Sequence, residues 1–412
     1  MSANSIRYVV TTDPEGGWAY GANPGPYAKF HVANDATYCI YNNRLMPVTQ
    51  KIGREDGYWL LRRKAGLFDT GERPIEIAGP DAEALCNRVF TRDVSKLKPG
   101  RAGYGLLCYP DGKLLCDGVL LRHDRDRFWY VQADGPVYSW LVAHAQGLDV
   151  AISDPRSWVA QVQGPASLHI LDALLDGGAP AGFSYYSVAP AAVKGQKIIV
   201  SRTGWTNELG FEFYTLPDEP GYDPDALWTA VLEAGAAHGL GLCGLDSMEI
   251  RRIEGGILNN GSDFDETMTP YEAGLGRFVD LSKPAFVGRE ALLSGGAPSR
   301  LIGLIAEGGE PLREGVVSVA GARIGTVTAA AYSPFLDAGV AIVRLDTATP
   351  AGSAVEVEGR DGRRRTAVLS ELPLYDRDRA IPRGVSADIP ERPKARRGED
   401  GAPSSPPVRL AG

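Results

Sequence analysis

The feature that most constrains this chain is an internal repeat whose two copies are each marked by a Gly-Pro turn. The first turn begins at Gly79 and the second at Gly164, 85 residues later. In each copy a strand-like segment precedes the turn, a helix follows it, and apolar runs that form hairpin strands come next. The repeat occurs only twice, which distinguishes it from a solenoid. Strands joined as hairpins, with helices added singly, predict an α+β fold.

The segments of each copy can be read from apolar periodicity and turn residues. Pro110-Asp111-Gly112 predicts a tight hairpin turn in the first copy. The first copy is predicted to contain strands at 74–78, 104–109, 114–122 and 127–132 and helices at 82–90 and 137–145. The second is predicted to contain strands at 158–163, 197–202 and 210–215 and helices at 167–175 and 225–237.

A different pattern follows the second copy. Short strands at regular spacing, typical of a small β-barrel or sandwich, are predicted at 301–306, 323–329, 339–344, 354–357 and 365–369. Proline, arginine, serine and charge then dominate, which predicts disorder. We therefore divide the chain into N-terminal loops and strands (1–57), a first α+β repeat (58–150), a second repeat with a long polar loop (151–285), a C-terminal β-barrel domain (286–382) and a disordered tail (383–412).

Composition excludes several classes of function. The 412 residues carry a net charge of −8 and show no basic stripe in the folded part, which argues against a nucleic-acid partner. No apolar run approaches the roughly 20 residues that a membrane span requires, and the N-terminus does not resemble a signal peptide. We expect a cytoplasmic protein without a membrane partner.

Metal and dinucleotide sites are not indicated either. The five histidines never fall at metal-ligand spacings, and the five cysteines form no CxxC pair, so we expect no metal. Residues 239–244 match GxGxxG, but they follow a predicted helix rather than a strand, which argues against a dinucleotide fold.

Four segments carry the side chains that could do chemistry. The first places Asp117 within an apolar strand, where an unpaired carboxylate is costly. The second, 201–212, is a glycine-rich turn that leads into a strand bearing Glu212. The third, 251–276, runs from a helix into a long, glycine-dense polar loop of the kind that is usually functional. The fourth is 286–292. Taken singly, each acidic residue could equally be the partner of a structural salt bridge.

Taken together and in this order, the four segments resemble the glycine cleavage T-protein family. The resemblance covers about residues 58–345 and is most specific between Arg252 and Gly276, in the pattern RIEGG…NGSD…TP…E…GLG. It implies a cloverleaf of three domains around a central folate channel. It also implies tetrahydrofolate as the cofactor and one-carbon transfer as the reaction class.

The resemblance assigns roles to individual positions of this chain. Asp117 matches the carboxylate nearest N5 of the pterin, the atom that gives or takes the one-carbon unit. Glu212 matches the acidic residue that binds the 2-amino and N3 edge, which presents two donors side by side. Tyr104 matches an aromatic residue that packs on the pterin. Gln132 matches a polar neighbour that is usually Asn, and Arg252 matches the arginine of the R-[LI]-E element.

Within the family, the chain is more similar to dimethylsulfoniopropionate demethylases than to the T-protein itself. Tyr41-Asn-Asn-Arg-Leu-Met-Pro47 resembles the Tyr-Asn-His-x-Leu-Leu-Pro segment of those demethylases and lacks the Gly-Trp-x-x-Pro element of the T-protein. Cys116 stands where the T-protein has a second aspartate. Both departures argue against aminomethyl transfer from a lipoylated carrier protein.

The resemblance therefore implies a demethylase that moves a methyl group from a small S-, N- or O-methylated substrate to N5 of tetrahydrofolate. An aryl ether would need an acid, for which Tyr41 is the candidate, whereas a sulfonium or quaternary ammonium leaves as a neutral group. Trp205 either borders the substrate, where it could hold a cation over its ring, or packs structurally.

Two alternatives remain. One is the aminomethyltransferase of glycine cleavage. The other is a non-catalytic folate-binding factor for iron–sulfur assembly, against which the absence of a cysteine in 284–290 argues.

Overall fold

The structure is a computed structural model, and it describes residues 22–295, 300–307, 309–386 and 388–392. The predictions for residues 1–21 and for most of the C-terminal tail lie outside these ranges. Among the described helices, none is long and apolar enough to cross a membrane. In the same ranges, no three His, Cys, Asp or Glu side chains are grouped as metal ligands would be. All five cysteines are buried free thiols.

The described N-terminal part folds as a short helix, a hairpin and a longer helix. Asn42 and Asn43 form the hairpin turn with φ of 51° and 58°, left-handed values that asparagine tolerates better than most residues. These elements are α1 (Ala28–Val32), β1 (Thr37–Tyr41), β2 (Arg44–Thr49), α2 (Arg54–Arg63) and β3 (Ala65–Asp69).

The first repeat forms a five-stranded antiparallel sheet in the order β5-β6-β7-β4-β8, called here the first sheet. Its hairpin turns where predicted, since Gly112 has a φ of 82° and Asp111 accepts a bond from the backbone N–H of Lys113. The elements are β4 (Arg73–Ala78), α3 (Ala82–Val89), β5 (Arg101–Cys108), β6 (Leu114–Arg122), β7 (Arg127–Gln132), α4 (Val137–His144) and β8 (Ala151–Ser153).

The second repeat forms a six-stranded sheet in the order β10-β11-β12-β9-β3-β13, called here the second sheet. It repeats the strand order of the first sheet, with β3 inserted between the last two positions. Asp223 caps its second helix by accepting from the N–H of Ala226, and Pro224 occupies the first turn. The elements are β9 (Val159–Gln163), α5 (Ser167–Leu174), β10 (Val188–Val193), β11 (Gln196–Ser201), β12 (Gly210–Thr215), α6 (Pro224–Ala236) and β13 (Leu240–Leu242).

The glycines that mark the two copies occupy equivalent, sterically demanding positions. Gly79 and Gly164 have φ of 137° and 127°. A Cβ at Gly79 would lie 2.7 Å from the carbonyl oxygen of Asp149, and one at Gly164 would lie 2.6 Å from that of Lys64. Both turns therefore require glycine because the backbone itself fills the space that a side chain would need.

The two sheets pack against each other and leave their helices on the outside. A buried cluster joins the faces that meet, and it consists of Ala102, Leu121, Trp129, Val131, Val159, Val188, Ile199 and Tyr214. The cluster includes Leu121 of β6 and Tyr214 of β12, so the strands that carry Asp117 and Glu212 both pack at the interface between the sheets. The α+β fold predicted from the repeat is confirmed.

The C-terminal part is a closed barrel in the order β14-β17-β16-β15-β18-β19, which confirms the predicted barrel. Five of its six strands were predicted. The missed strand is β15, whose short Val-Val-Ser-Val run lies beside a turn and carries two half-exposed valines. The remaining elements are α7 (Leu245–Glu254), α8 (Arg289–Leu293), β14 (Leu301–Ala306), β15 (Val316–Val319), β16 (Ala322–Ser333), β17 (Ala338–Leu345), β18 (Ala354–Glu358) and β19 (Arg364–Ser370).

A buried network of charged side chains joins the second sheet to α2 and α7. Glu208, in the loop between β11 and β12, accepts from Arg62 of α2 and, at 2.7 Å, from Nε of Arg251 of α7. Glu254 continues the network into the barrel, because the Ser333 hydroxyl donates to its carboxylate at 2.6 Å. These four charged side chains are at most 3% exposed, so each depends on its partners for the hydrogen bonds that water would otherwise supply.

We predict that Glu208→Gln lowers the free energy of unfolding by about 3 kcal/mol, because it leaves two buried guanidinium groups without their shared carboxylate. Glu233→Gln is the matched control, since the Lys194–Glu233 pair is exposed and contributes about 0–1 kcal/mol. Urea denaturation followed by circular dichroism measures both. Equal shifts of the two midpoints would contradict the importance of the network.

Candidate active site

A cavity of about 350 Å³ lies where the N-terminal hairpin, both sheets, α7 and the barrel meet. The first sheet contributes β5–β7, the second contributes β9 and β12, and the barrel contributes Thr328–Ala330 of β16. All seven residues proposed from the sequence line this one cavity: Tyr41, Tyr104, Asp117, Gln132, Trp205, Glu212 and Arg252. Their individual roles remain predictions.

Asp117 is a buried carboxyl group with one anchored oxygen. Its Oδ2 accepts a 2.6 Å hydrogen bond from the Tyr104 hydroxyl, whereas Oδ1 is buried without a hydrogen-bond donor in the described part of the chain. No described lysine or arginine forms an ion pair with it. Burial raises the pKa of the Asp117 carboxyl to about 6, although the bond from Tyr104 lowers it.

Local structure fixes the direction of this carboxyl group. Asp117 pairs with Leu106 across the β5–β6 hairpin, and the following residue, Gly118, pairs with Gln132 of β7. A Cβ at Gly118 would lie 2.3 Å from the carbonyl oxygen of Val131, so the strands can approach closely only with glycine there. The ring of Tyr104 packs against Phe278 with centroids 4.7 Å apart, which holds the anchoring hydroxyl in place.

Glu212 lies on the opposite wall and is held by three hydroxyl groups. Its Oε2 accepts from Thr203 and Tyr214, both at 2.6 Å, and from Ser201 at 3.3 Å. Burial raises the pKa of Glu212, and the hydroxyl groups lower it. Because all three donors reach the same oxygen, only Oε1 remains for a ligand. The role of Glu212 at the 2-amino and N3 edge of the pterin stays a prediction.

Arg252 is largely committed to the protein itself. Its guanidinium donates to Glu249 at 3.1 Å and 2.5 Å, to the carbonyl of Ile257 at 3.2 Å, and to Asp263. Asp263 in turn accepts from Thr328 of the barrel at 2.6 Å. Arg252 therefore shapes the polar loop after α7 and ties it to the barrel, which leaves one of its five N–H donors for a ligand.

The remaining predicted residues, Gln132, Trp205 and Tyr41, line the same cavity. Nε2 of Gln132 donates to Oδ1 of Asn42 at 3.3 Å, and its Oε1 is buried without a donor among the described residues. The guanidinium of Arg252 lies 5.2 Å from the Trp205 ring, so the cation that this ring holds here is a protein side chain. Tyr41 ends β1, half-buried at the cavity wall.

Four acidic cavity residues were missed from the sequence: Asp69, Glu72, Asp246 and Glu249. Asp69 is buried at the end of β3, with Oδ2 3.1 Å from Nε2 of His31. Glu72 follows three residues later and accepts from the Thr70 hydroxyl at 3.1 Å. The available signal was the segment Asp-Thr-Gly-Glu between two strands, where Gly71 makes a turn with a φ of 61°.

Comparisons with known proteins identify the family. The GCVT N-terminal domain matches residues 20–283, and the glycine cleavage T-protein C-terminal barrel domain matches residues 300–376. The chain belongs to the glycine cleavage T-protein family. The prediction made from the motifs is confirmed at this level, and the protein is a tetrahydrofolate-dependent one-carbon transferase. Because the protein is a transferase, the alternative of a non-catalytic folate-binding factor for iron–sulfur assembly is set aside.

Individual relatives of the T-protein family differ in their reported activities. An aminomethyltransferase of Streptomyces avermitilis is 37% identical over 79% of this chain and 90% of its own length. A trimethylamine-oxide aldolase of Ruegeria pomeroyi is 33% identical over 83% of this chain but only 47% of its own length. The glycine cleavage system aminomethyltransferase T of Bartonella henselae, 24% identical, covers 86% of this chain and 98% of its own with a TM-score of 0.77, which shows the shared fold. The closer similarity to sulfonium demethylases stays a prediction.

The cavity residues fit the family's cofactor. Oδ1 of Asp117 and Oε1 of Gln132 are buried acceptors without donors among the described residues. Oε1 of Glu212 also receives no donor from the described residues, because the hydroxyl groups around this carboxylate reach Oε2. A reduced pterin is rich in N–H donors, so it would satisfy acceptors that the protein leaves unpaired. Burying such acceptors without a ligand would cost about 1–3 kcal/mol each.

We predict that Tyr104→Phe raises the pKa of Asp117 further above about 6, because it removes the hydroxyl that stabilises the charged carboxylate. Infrared titration of the carboxyl band, assigned by its loss in Asp117→Asn, measures this pKa. Tyr109→Phe, at the other end of the same hairpin, is the control and should leave the titration unchanged. An unaltered or lowered pKa in Tyr104→Phe would contradict the stabilising role of the Tyr104 hydroxyl.

Proposed function

We propose that this protein is a demethylase that transfers a methyl group from a small S-, N- or O-methylated substrate to N5 of tetrahydrofolate. The observation that carries the proposal is the Asp117 carboxyl group, which is buried, anchored through one oxygen and without a donor on the other. Bound tetrahydrofolate supplies N5 as the nucleophile that accepts the one-carbon unit.

Asp117 is proposed to act electrostatically and as a proton acceptor. Its carboxylate stabilises positive charge that develops at the acceptor nitrogen, and it is already oriented by Tyr104, so little reorganisation is needed. Its unpaired Oδ1 can then accept the proton that the nitrogen loses. A pKa of about 6 leaves the group mostly ionised at pH 7 and suits this task.

The remaining predicted residues are proposed to bind and orient. Oε1 of Glu212 accepts from the amino edge of the pterin, Tyr104 packs on its ring system, and Oε1 of Gln132 accepts from a further N–H. Arg252 acts mainly by shaping the loop after α7. Such positioning can lower the barrier of a bimolecular transfer by up to roughly 7–11 kcal/mol.

The charge of the cavity supports a positively charged methyl donor. Among the described residues, two arginines line it, Arg252 and Arg313, and Glu249 forms an ion pair with Arg252. The acidic side chains in the lining are Asp69, Glu72, Asp117, Glu212, Asp246 and Glu249. Carboxyl groups outnumber guanidinium groups in this wall, and those that are ionised attract cations. A cationic donor leaves as a neutral molecule, so no acid is required, whereas an aryl ether would need Tyr41 as the acid.

Aminomethyl transfer, as in glycine cleavage, is the second candidate. It is supported by relatives named aminomethyltransferase at 33–37% identity that this chain covers almost completely. Cys116 and the segment from Tyr41 to Pro47 argue against it. The product formed on tetrahydrofolate distinguishes the two candidates.

We predict that purified protein, tetrahydrofolate and one donor from a panel of methylated sulfonium, ammonium and aryl-ether compounds yield 5-methyltetrahydrofolate. Chromatography with mass detection identifies the product. Only 5,10-methylenetetrahydrofolate, formed with an aminomethylated lipoyl carrier, would exclude the demethylase and favour aminomethyl transfer.

Two variants separate chemistry from binding. We predict that Asp117→Asn lowers kcat by roughly 10²-fold or more while changing the Kd for tetrahydrofolate little, because it removes charge stabilisation but keeps the shape. Glu212→Ala is predicted to weaken tetrahydrofolate binding much more than Asp117→Asn does. Equal losses of affinity in the two variants would refute this division of roles.

A further inference from the structure

The Glu212 carboxylate can offer a ligand one oxygen rather than two. The hydroxyl groups of Ser201, Thr203 and Tyr214 all donate to Oε2, which occupies the acceptor capacity of that atom. Oε1 receives no donor from the described residues. A ligand edge with several adjacent N–H groups would therefore leave donors unpaired if Glu212 were its only acidic partner.

Glu72 supplies a second acidic side chain in the same cavity. It lies half-buried in the turn between β3 and β4, and its Oε2 accepts from the Thr70 hydroxyl at 3.1 Å. Its Oε1 receives no donor from the described residues, and no described lysine or arginine forms an ion pair with its carboxylate. Arg44 donates to the backbone carbonyl of Glu72 instead, at 2.5 Å, and so fixes the turn.

The two carboxyl groups are electrostatic neighbours. Burial, and next the charge of Glu212, hold the pKa of Glu72 well above its usual range. The charge of Glu72 likewise raises the pKa of Tyr214, one of the hydroxyl groups that hold Glu212. Both carboxyl groups line the same cavity, and each has one oxygen that accepts from a hydroxyl group and another that receives no donor from the described residues.

The amino edge of a reduced pterin matches this arrangement. It carries three N–H donors, one on N3 and two on the 2-amino group, and needs more than one acceptor oxygen to satisfy them. We infer that Glu72 is a second carboxyl ligand of the pterin, accepting from the 2-amino group while Glu212 accepts from its neighbour. This inference rests on the proposed use of the cavity for tetrahydrofolate.

The role requires an acceptor oxygen at position 72 rather than a negative charge. A protonated carboxyl group still presents its carbonyl oxygen, and a glutamine side chain presents an equivalent one. Glu72→Gln should therefore preserve the contact, whereas Glu72→Leu fills similar space without an acceptor. The pair of variants separates hydrogen bonding from charge and from packing.

The test measures Kd by calorimetry for tetrahydrofolate and for its 2-desamino analogue, with wild-type protein, Glu72→Gln and Glu72→Leu. We expect Glu72→Leu to bind tetrahydrofolate about 10- to 100-fold more weakly, because a buried N–H loses its acceptor. The same variant should bind the 2-desamino analogue with nearly the wild-type Kd, which also shows that it is folded. Glu72→Gln should stay close to wild type with both ligands.

Three results would overturn the inference. They are an unchanged Kd for tetrahydrofolate in Glu72→Leu, an equal loss with both ligands, and a loss in Glu72→Gln as large as that in Glu72→Leu. Methyl transfer by the wild-type protein is assayed separately. A protein that shows the expected binding pattern but forms no 5-methyltetrahydrofolate would refute the proposed reaction and leave the role of Glu72 intact.

Discussion

Burying a carboxyl group in an apolar wall is costly, and neither Asp117 nor Glu212 is paired with a described lysine or arginine. The protein stabilises both with hydroxyl groups instead, from Tyr104 on one side and from three residues on the other. Hydroxyl donors orient a carboxylate without neutralising it. The oxygens that receive no donor from the described residues therefore remain available to a ligand, and both carboxyl groups line one cavity.

The two copies of the repeat each contribute one of the two carboxyl groups to the cavity. The two sheets pack through one shared apolar cluster, and strands of both sheets line the cavity, among them β6 with Asp117 and β12 with Glu212. The charged network around Glu208 fixes the β11–β12 loop, which carries Trp205, against α7. Asp263 links the loop after α7 to the barrel through Thr328. Polar contacts from all three parts of the chain thus determine the shape of the cavity.

Much of this was predictable from the sequence, for identifiable reasons. Strong local signals, such as the Pro-Asp-Gly turn before β6 and the Asp-Pro start of α6, set element boundaries to within one or two residues. A carboxylate inside an apolar strand, as at Asp117, is itself a signal of function. The short strand β15 escaped prediction because its four residues, two of them half-exposed valines, carry little periodicity.

The details that decide chemistry were not predictable, because they depend on contacts between segments distant in sequence. Nothing local indicates that three hydroxyl groups converge on one oxygen of Glu212, or that Arg252 uses four donors on its own loop and helix. The sequence does not single out Glu72, because a lone glutamate in a turn is usually a solvated surface residue. In the fold, β3 pairs with β9, and the turn that follows β3 places Glu72 in the cavity lining.

Two acidic side chains from different sheets are proposed to converge on one reduced pterin, and all other assignments in the cavity depend on this. A crystal structure of the protein with 5-methyltetrahydrofolate tests it most directly. We expect N5 and its methyl group beside Asp117 and the amino edge beside Glu212. A pterin bound elsewhere, or bound in the cavity with N5 remote from Asp117, would contradict the proposal.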